Sequence, residues 1–195
     1  MNYPNGKKTP TNKIVFYGNR GMNLESDLNE TNQYYLIQNK AIIYKKPTPI
    51  KVVDVSYPSR KEAIIKKAYF QVPSTTDYNG IYKGKYIDFE AKETTSNTSF
   101  PLANIHTHQI EHLKKINEHQ GISFLIVRFT KLDLTFLLTT EKLLFFLDNY
   151  NKKSIPLNYF KTNGFIIENK YNPRIDYLSI IDKINFKGEL KWKKM

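Results

Sequence analysis

A mixed α/β fold around a central sheet is what this chain predicts, and three observations predict it. Short β-rich runs alternate with stretches whose apolar residues recur at helical spacing. Proline and glycine punctuate the boundaries between them. No repeat and no linker divides the 195 residues, a length that can bury a core of its own without staples.

Residues 1–17 read as a loose basic N-terminal arm. In "GNRGMNLESDLNETNQYYLIQNK" the residues Met22, Leu24, Leu28, Tyr35 and Leu36 form an imperfect helical stripe. "AIIYKK" is a short strand stopped by Pro47 and Pro49, and "IKVVDVSY" is a second strand. "PSRKEAIIKKAYFQVPS" is more polar and basic, with weak helical or extended character, and reads as an excursion from the sheet. "SFPLANIHTHQIEHLKKINEHQG" predicts a helix starting near Pro101 and stopped by Gly121, with Leu102, Ile105, Gln109, Leu113 and Ile116 on one face. "ISFLIVRF" and "DLTFLLT" are strands, and "EKLLFFLDNY" is a short helix. The chain closes with "YNPRIDYLSIIDKI" and a basic tail over residues 185–195.

The formal charge is +12. Arginine occurs only at Arg20, Arg60, Arg128 and Arg174, a lysine-over-arginine choice that an AT-rich genome would produce. Such bias does not explain why basic residues outnumber acidic ones, and the excess points to a polyanionic partner, nucleic acid before membrane. Cysteine is absent, which removes disulfide and thiolate chemistry. No apolar run approaches a bilayer span and the N-terminus lacks an apolar signal core, so no membrane partner and a cytoplasmic location are expected.

The chemistry gathers in "TTDYNGIYKGKYIDFEAKET", Thr75 to Thr94. With Lys83-Gly84 as a two-residue turn, Tyr82 faces Lys85. Counting outward then sets Asp77 opposite Glu90 and Thr75 opposite Lys92, with Cβ atoms of facing residues about 4.5–5.5 Å apart. Along the second strand Asp88, Glu90 and Lys92 share one face, and Ile87, Phe89 and Ala91 the other. Two facing carboxylates repel unless a cation sits between them. Lys92 could be that cation, in an ordinary salt-bridged strand. Otherwise a divalent ion is held by Asp77 and Glu90, and hard oxygen donors with few protein ligands suit Mg²⁺. Lys92 would then orient a water or offset charge developing on a phosphate.

"HTHQIEH" offers a rival, because His108, Glu111 and His112 match the H-x-x-E-H pattern of some zinc peptidases. No downstream acidic ligand stands out, and a peptidase has no evident use for the charge; plain surface histidines are the alternative. Gln109 interrupts the apolar face between Ile105 and Leu113. It needs a partner there, either a metal site or backbone.

Together "NRGMNLESDLNETNQYYL", "KKPTPI", "STTDYNGIYKGKYIDFEAKET", "TSFPL" with "HQIEH", and "PRIDYLSII" resemble the RecU Holliday junction resolvases of Gram-positive bacteria, in the same order from Gly18 to Ile181. The resemblance implies a restriction-endonuclease-like nuclease core over residues 18–184, with a protruding stalk over residues 57–74. It implies a homodimer that cuts four-way junction DNA symmetrically with Mg²⁺ during recombination and repair, with recombination proteins as further partners. By position, Thr75, Asp77, Glu90 and Gln109 match the family's metal site, and Lys92 its catalytic lysine. Arg20 and Lys45 match basic positions used on DNA. Arg60, Lys66, Tyr69 and Phe70 fall in the segment that enters the junction centre. The alternative reading is a junction-binding, recombinase-modulating protein whose nuclease activity is dispensable. The arm and the Asn/Lys-rich region from Tyr150 to Asn172 depart from the family pattern.

Overall fold

The computed structural model describes residues 23–59, 61–71 and 75–186. In chain order the elements are α1 (Leu24–Ile37), β1 (Ile42–Lys45), β2 (Ile50–Ser56), β3 (Ile64–Phe70), β4 (Tyr78–Tyr82) and β5 (Lys85–Thr94). There follow β6 (Ser99–Pro101), α2 (Thr107–Glu118), β7 (Ile122–Phe129), β8 (Leu134–Thr139) and α3 (Thr140–Asn149). The last are β9 (Ser154–Pro156), α4 (Leu157–Asn163), β10 (Phe165–Ile167) and α5 (Tyr177–Asn185).

Six strands form the central sheet in the order β1-β4-β5-β7-β8-β10. All neighbours are antiparallel except β5 and β7, which run parallel. Every residue of β7 is buried, as expected of a strand covered on both faces. One face packs Ile87, Phe89, Phe124 and Ile126 against Leu24, Leu28 and Tyr35 of α1 and Tyr177, Leu178 and Ile181 of α5. The other packs Leu125, Val127 and Leu138 against Leu113 of α2, Leu143 and Phe146 of α3, and Phe160 of α4. This is the mixed α/β sheet that the sequence predicts.

The β4–β5 hairpin keeps the expected register, with Tyr82 opposite Lys85 and Tyr78 opposite Phe89. Its turn places both Lys83 (φ 48°) and Gly84 (φ 73°) in the left-handed region, the two-residue turn whose twist suits a hairpin. Gly80 serves a different need. A Cβ there would lie 2.0 Å from the carbonyl oxygen of Ile42, so β1 can approach β4 only over a glycine.

Three elements depart from the sequence reading. β2 is a strand but does not join the central sheet; it pairs only with β3, as a two-stranded ribbon whose register breaks around Asp54. The excursion therefore takes in residues 50–56 as well, and β3 is extended. α2 starts at Thr107, not near Pro101, because residues 99–101 pair with β9 and Leu102–Asn104 make a 3₁₀ turn. Its end is shaped by Gln120, at φ 64°, ahead of Gly121. In α1 the expected apolar Leu36 is partly exposed, while Thr31 and Asn32 are buried. They are buried because they bond inward: Thr31 Oγ1 accepts from Ile175 N, and Asn32 Oδ1 from the Tyr177 hydroxyl. β6, β9, α4 and β10 had no counterpart in the sequence reading.

Candidate active site

β4 ends its ladder at Tyr78, and from there side chains take over the pairing. Asp77 N–H donates to Glu90 Oε2 at 3.1 Å, and Ala91 N–H donates to Asp77 Oδ2 at 3.2 Å. The two acids thus face each other at the open end of the hairpin. Glu90 is fully buried and Asp77 half-buried.

Two donors converge on Glu90 Oε1: Lys92 Nζ at 2.5 Å and Gln109 Nε2 at 2.8 Å. Lys92 lies two residues along the same strand, so pleating alone returns it to the same face. Gln109 arrives from the first turn of α2. Its amide oxygen accepts from His106 N–H at 3.1 Å, which caps the helix and fixes the side chain at its other end. Gln109 is therefore bonded both to backbone and to the acid pair, with its nitrogen rather than its oxygen turned toward Glu90. Thr75 sits half-buried two residues before Asp77.

Burial pushes the Glu90 carboxyl up to about 7; the charge of Asp77 pushes the same way, and Lys92 opposes both. One lysine does not fully offset two adjoining carboxylates in a buried setting. The donor set fits a hard divalent cation: two facing carboxylates supply hard oxygen donors, and among the described residues no histidine joins them. Asp77 and Glu90 would hold it. A recess of about 210 Å³ lies beside Lys92, lined also by Asn23, Tyr78 and Glu93.

The zinc reading of the histidines finds no support in the geometry. His112 Nε2 lies 3.2 Å from Asp88 Oδ2, while His108 stacks on His106 and Glu111 is exposed. Among the described residues no three His, Asp or Glu side chains are grouped to hold a metal.

A family model described as Recombination protein U matches residues 19–183. The Holliday junction resolvase RecU of Oceanobacillus iheyensis is 53% identical over 196 residues, covering 95% of this chain and 100% of that protein. The protein of the same name from Bacillus cereus is 50% identical over 198 residues, covering 95% and 98%. The chain belongs to the RecU family. Among solved structures, Hjc of Archaeoglobus fulgidus, described as a Holliday junction resolvase, aligns at a TM-score of 0.41 and 10% identity, covering 73% of this chain and 92% of that one, too slight a likeness to bear on function.

Of the DNA-contact positions that the RecU resemblance implies, Lys66, Tyr69 and Phe70 lie on β3 of the ribbon, where every residue is exposed. Phe70 is 84% exposed. Lys45 ends β1, near the foot of the ribbon, and pairs with Glu25 at 2.5 Å. Arg20 and Arg60 lie outside the described residues, as do the N-terminal arm and most of the basic tail. The sequence reading gave no role to Asp88, Lys46 and Thr76, which form a second buried polar cluster beside the acids. The signal was present in the pleat, since Asp88 shares the face of Glu90.

Proposed function

We propose that the chain is a Mg²⁺-dependent, structure-selective endodeoxyribonuclease that resolves Holliday junctions by symmetrical cleavage during recombination and repair. The observation that carries this reading is the pair of half-buried Asp77 and buried Glu90 with Lys92 at its edge, in a chain of the RecU family. The relatives' name, Holliday junction resolvase, supplies the substrate, and the charge of +12 suits it.

Asp77 and Glu90 would hold Mg²⁺, with Thr75 and Gln109 beside it. Bound there, the ion would supply a water of lowered pKa and offset charge on the scissile phosphate. Gln109 fixes the rotamer of Glu90 through its amide nitrogen, so one acid is oriented before metal arrives. Lys92 would position the attacking water or neutralise charge gathering on the phosphate.

A four-way junction has near-twofold symmetry, and a homodimer would place two such centres on opposing strands. The exposed ribbon supplies aromatic and basic groups for the open centre of the branch. Lysines elsewhere would track phosphates without reading sequence. The cytoplasm, where the chromosome lies, is the compartment this activity requires.

A labelled four-way junction incubated with and without Mg²⁺ tests the reading. Paired symmetrical nicks that need Mg²⁺, and are lost in Asp77→Ala and Glu90→Ala, are expected. Nicking that persists in both variants refutes the site. Tight binding with no nicking at any Mg²⁺ concentration would favour the junction-binding, recombinase-modulating alternative instead.

A further inference from the structure

The face of β5 that carries Glu90 also carries Asp88, two residues earlier and with no exposure. Four side chains surround its carboxylate. Lys46 Nζ lies 2.8 Å from Oδ2, the Tyr86 hydroxyl donates to Oδ2 at 2.9 Å, and His112 Nε2 is 3.2 Å from the same oxygen. The Thr76 hydroxyl donates to Oδ1, and accepts from Lys46 Nζ at 2.9 Å.

The origin of these groups matters more than their number. Lys46 follows the last residue of β1, where the chain leaves the sheet for the ribbon. Thr76 lies just before β4, where the chain rejoins the sheet. Lys46 N–H also donates to the carbonyl oxygen of Asp77 at 2.8 Å. Both roots of the ribbon are thus fastened to one buried carboxylate, and to each other. Thr76 is the chain neighbour of Asp77, whose own N–H is held by Glu90. Asp77 is accordingly fixed through its amide, its carbonyl and its preceding side chain.

We propose that Asp88 is a positioning residue: it bolts Lys46 and Thr76, the two roots of the β2–β3 ribbon, to the strand that carries Glu90, and so sets where Asp77 stands. The proposal rests on the nuclease reading above for its biological meaning. A bare buried carboxylate is costly; Tyr86 and His112 help to satisfy this one, and its other two partners, Lys46 and Thr76, are the residues that hold Asp77 in place. The same bolt makes the ribbon and the acid pair one mechanical unit. A branch point that seats the ribbon therefore seats Asp77.

The test uses full-length Asp88→Asn, Thr76→Val, Thr76→Ser and Lys46→Met. Mn²⁺ affinity is measured by electron paramagnetic resonance without DNA, junction affinity in EDTA, and cleavage at limiting Mg²⁺. Asp88→Asn and Thr76→Val should weaken Mn²⁺ binding and slow cleavage by about 10-fold each, with junction affinity in EDTA unchanged. Thr76→Ser, which keeps the hydroxyl, should behave as the parent; a general loss of packing would not show that rescue. Parental Mn²⁺ affinity in folded Asp88→Asn and Thr76→Val overturns the proposal. If either fails to fold, Lys46→Met decides, because that side chain is already 18% exposed; weakened Mn²⁺ binding supports the proposal and parental affinity overturns it. A parent chain that binds Mn²⁺ but cuts no junction would refute the nuclease reading instead, leaving the metal titrations to judge the positioning role.

Discussion

The main-chain nitrogen of Asp77 donates to Glu90 Oε2 at 3.1 Å, while the Asp77 carboxylate accepts the Ala91 N–H at 3.2 Å. The exchange holds two acids face to face across strands whose ladder has just ended. A structural ion pair would not need the second acid, because Lys92 already satisfies Glu90 at 2.5 Å. Asp77→Asn and Glu90→Gln keep shape and remove charge. Each should lower junction cleavage at least about 100-fold, since changes to groups outside the ligand set already cost 10–100-fold. Gel shifts in EDTA should show junction binding intact. Equal losses of binding and cleavage would mean that the acids serve the fold.

Lys92 should act on rate rather than affinity. Its side chain is 24% exposed and sits at the edge of the acid pair. Lys92→Met should reduce the single-turnover rate by about 10²–10³, the usual effect of removing one charge-stabilising donor, with KM for the junction unchanged. A rise in KM alone would reassign Lys92 to DNA binding.

The acid pair also leaves a mark on pH dependence. Glu90 has an ordinary value of 4.5 and is held at about 7 by burial first and by Asp77 second. A carboxyl raised in the folded state favours folding while it is protonated. That contribution is complete below about 4.5, and is lost as pH rises through about 7. In EDTA the parent should therefore lose stability relative to Glu90→Gln across this window, by at most about 3 kcal/mol. Added Mg²⁺ should reverse the loss above pH 7, since the metal requires the ionised form. Urea titrations of both proteins at pH 5 and 8, with and without Mg²⁺, check it; a difference independent of pH would count against the burial of an ionisable pair.

The hairpin was legible in sequence because its register depends on one local decision, the Lys83-Gly84 turn, and every facing pair follows by counting. The helix at α1 was legible from spacing. The Asp88 cluster was not, because it joins residues 42 and 24 positions apart, through Lys46 and His112. Gln109 could be seen to need a partner, but not which one, since the choice depends on where α2 docks. The separation of β2 from the central sheet escaped notice too: alternating apolar residues mark a strand without naming its neighbour. β9 and β10 have three residues each, too few for a period to show.

Asp27 anchors the frame behind the site. It is buried, with Oδ1 2.5 Å from Arg174 Nε and Oδ2 2.7 Å from Arg128 Nη1, tying α1 to β7 and to the segment before α5. Asp27→Ala leaves a buried arginine beside the empty position and should cost about 3–5 kcal/mol. The exposed Lys114–Glu118 pair, at 4.0 Å, should cost under about 1 kcal/mol when broken. Urea unfolding of the two variants compares them, and similar losses would contradict the burial argument.

Phe70 gives the cleanest separation of folding from recognition. It is 84% exposed on a ribbon that buries none of its described residues, so Phe70→Ala should change stability by no more than about 0.5 kcal/mol. An aromatic ring so displayed has stacking surface to offer an unpaired or splayed base. Its loss should weaken four-way junction binding by about 1–3 kcal/mol, the usual worth of one stacked base. Linear duplex offers no open centre, and its affinity should be unchanged. Competition between labelled junction and linear DNA in EDTA reads the difference directly. Equal weakening on both substrates would place Phe70 on ordinary duplex instead, and unchanged binding on both would remove it from the interface.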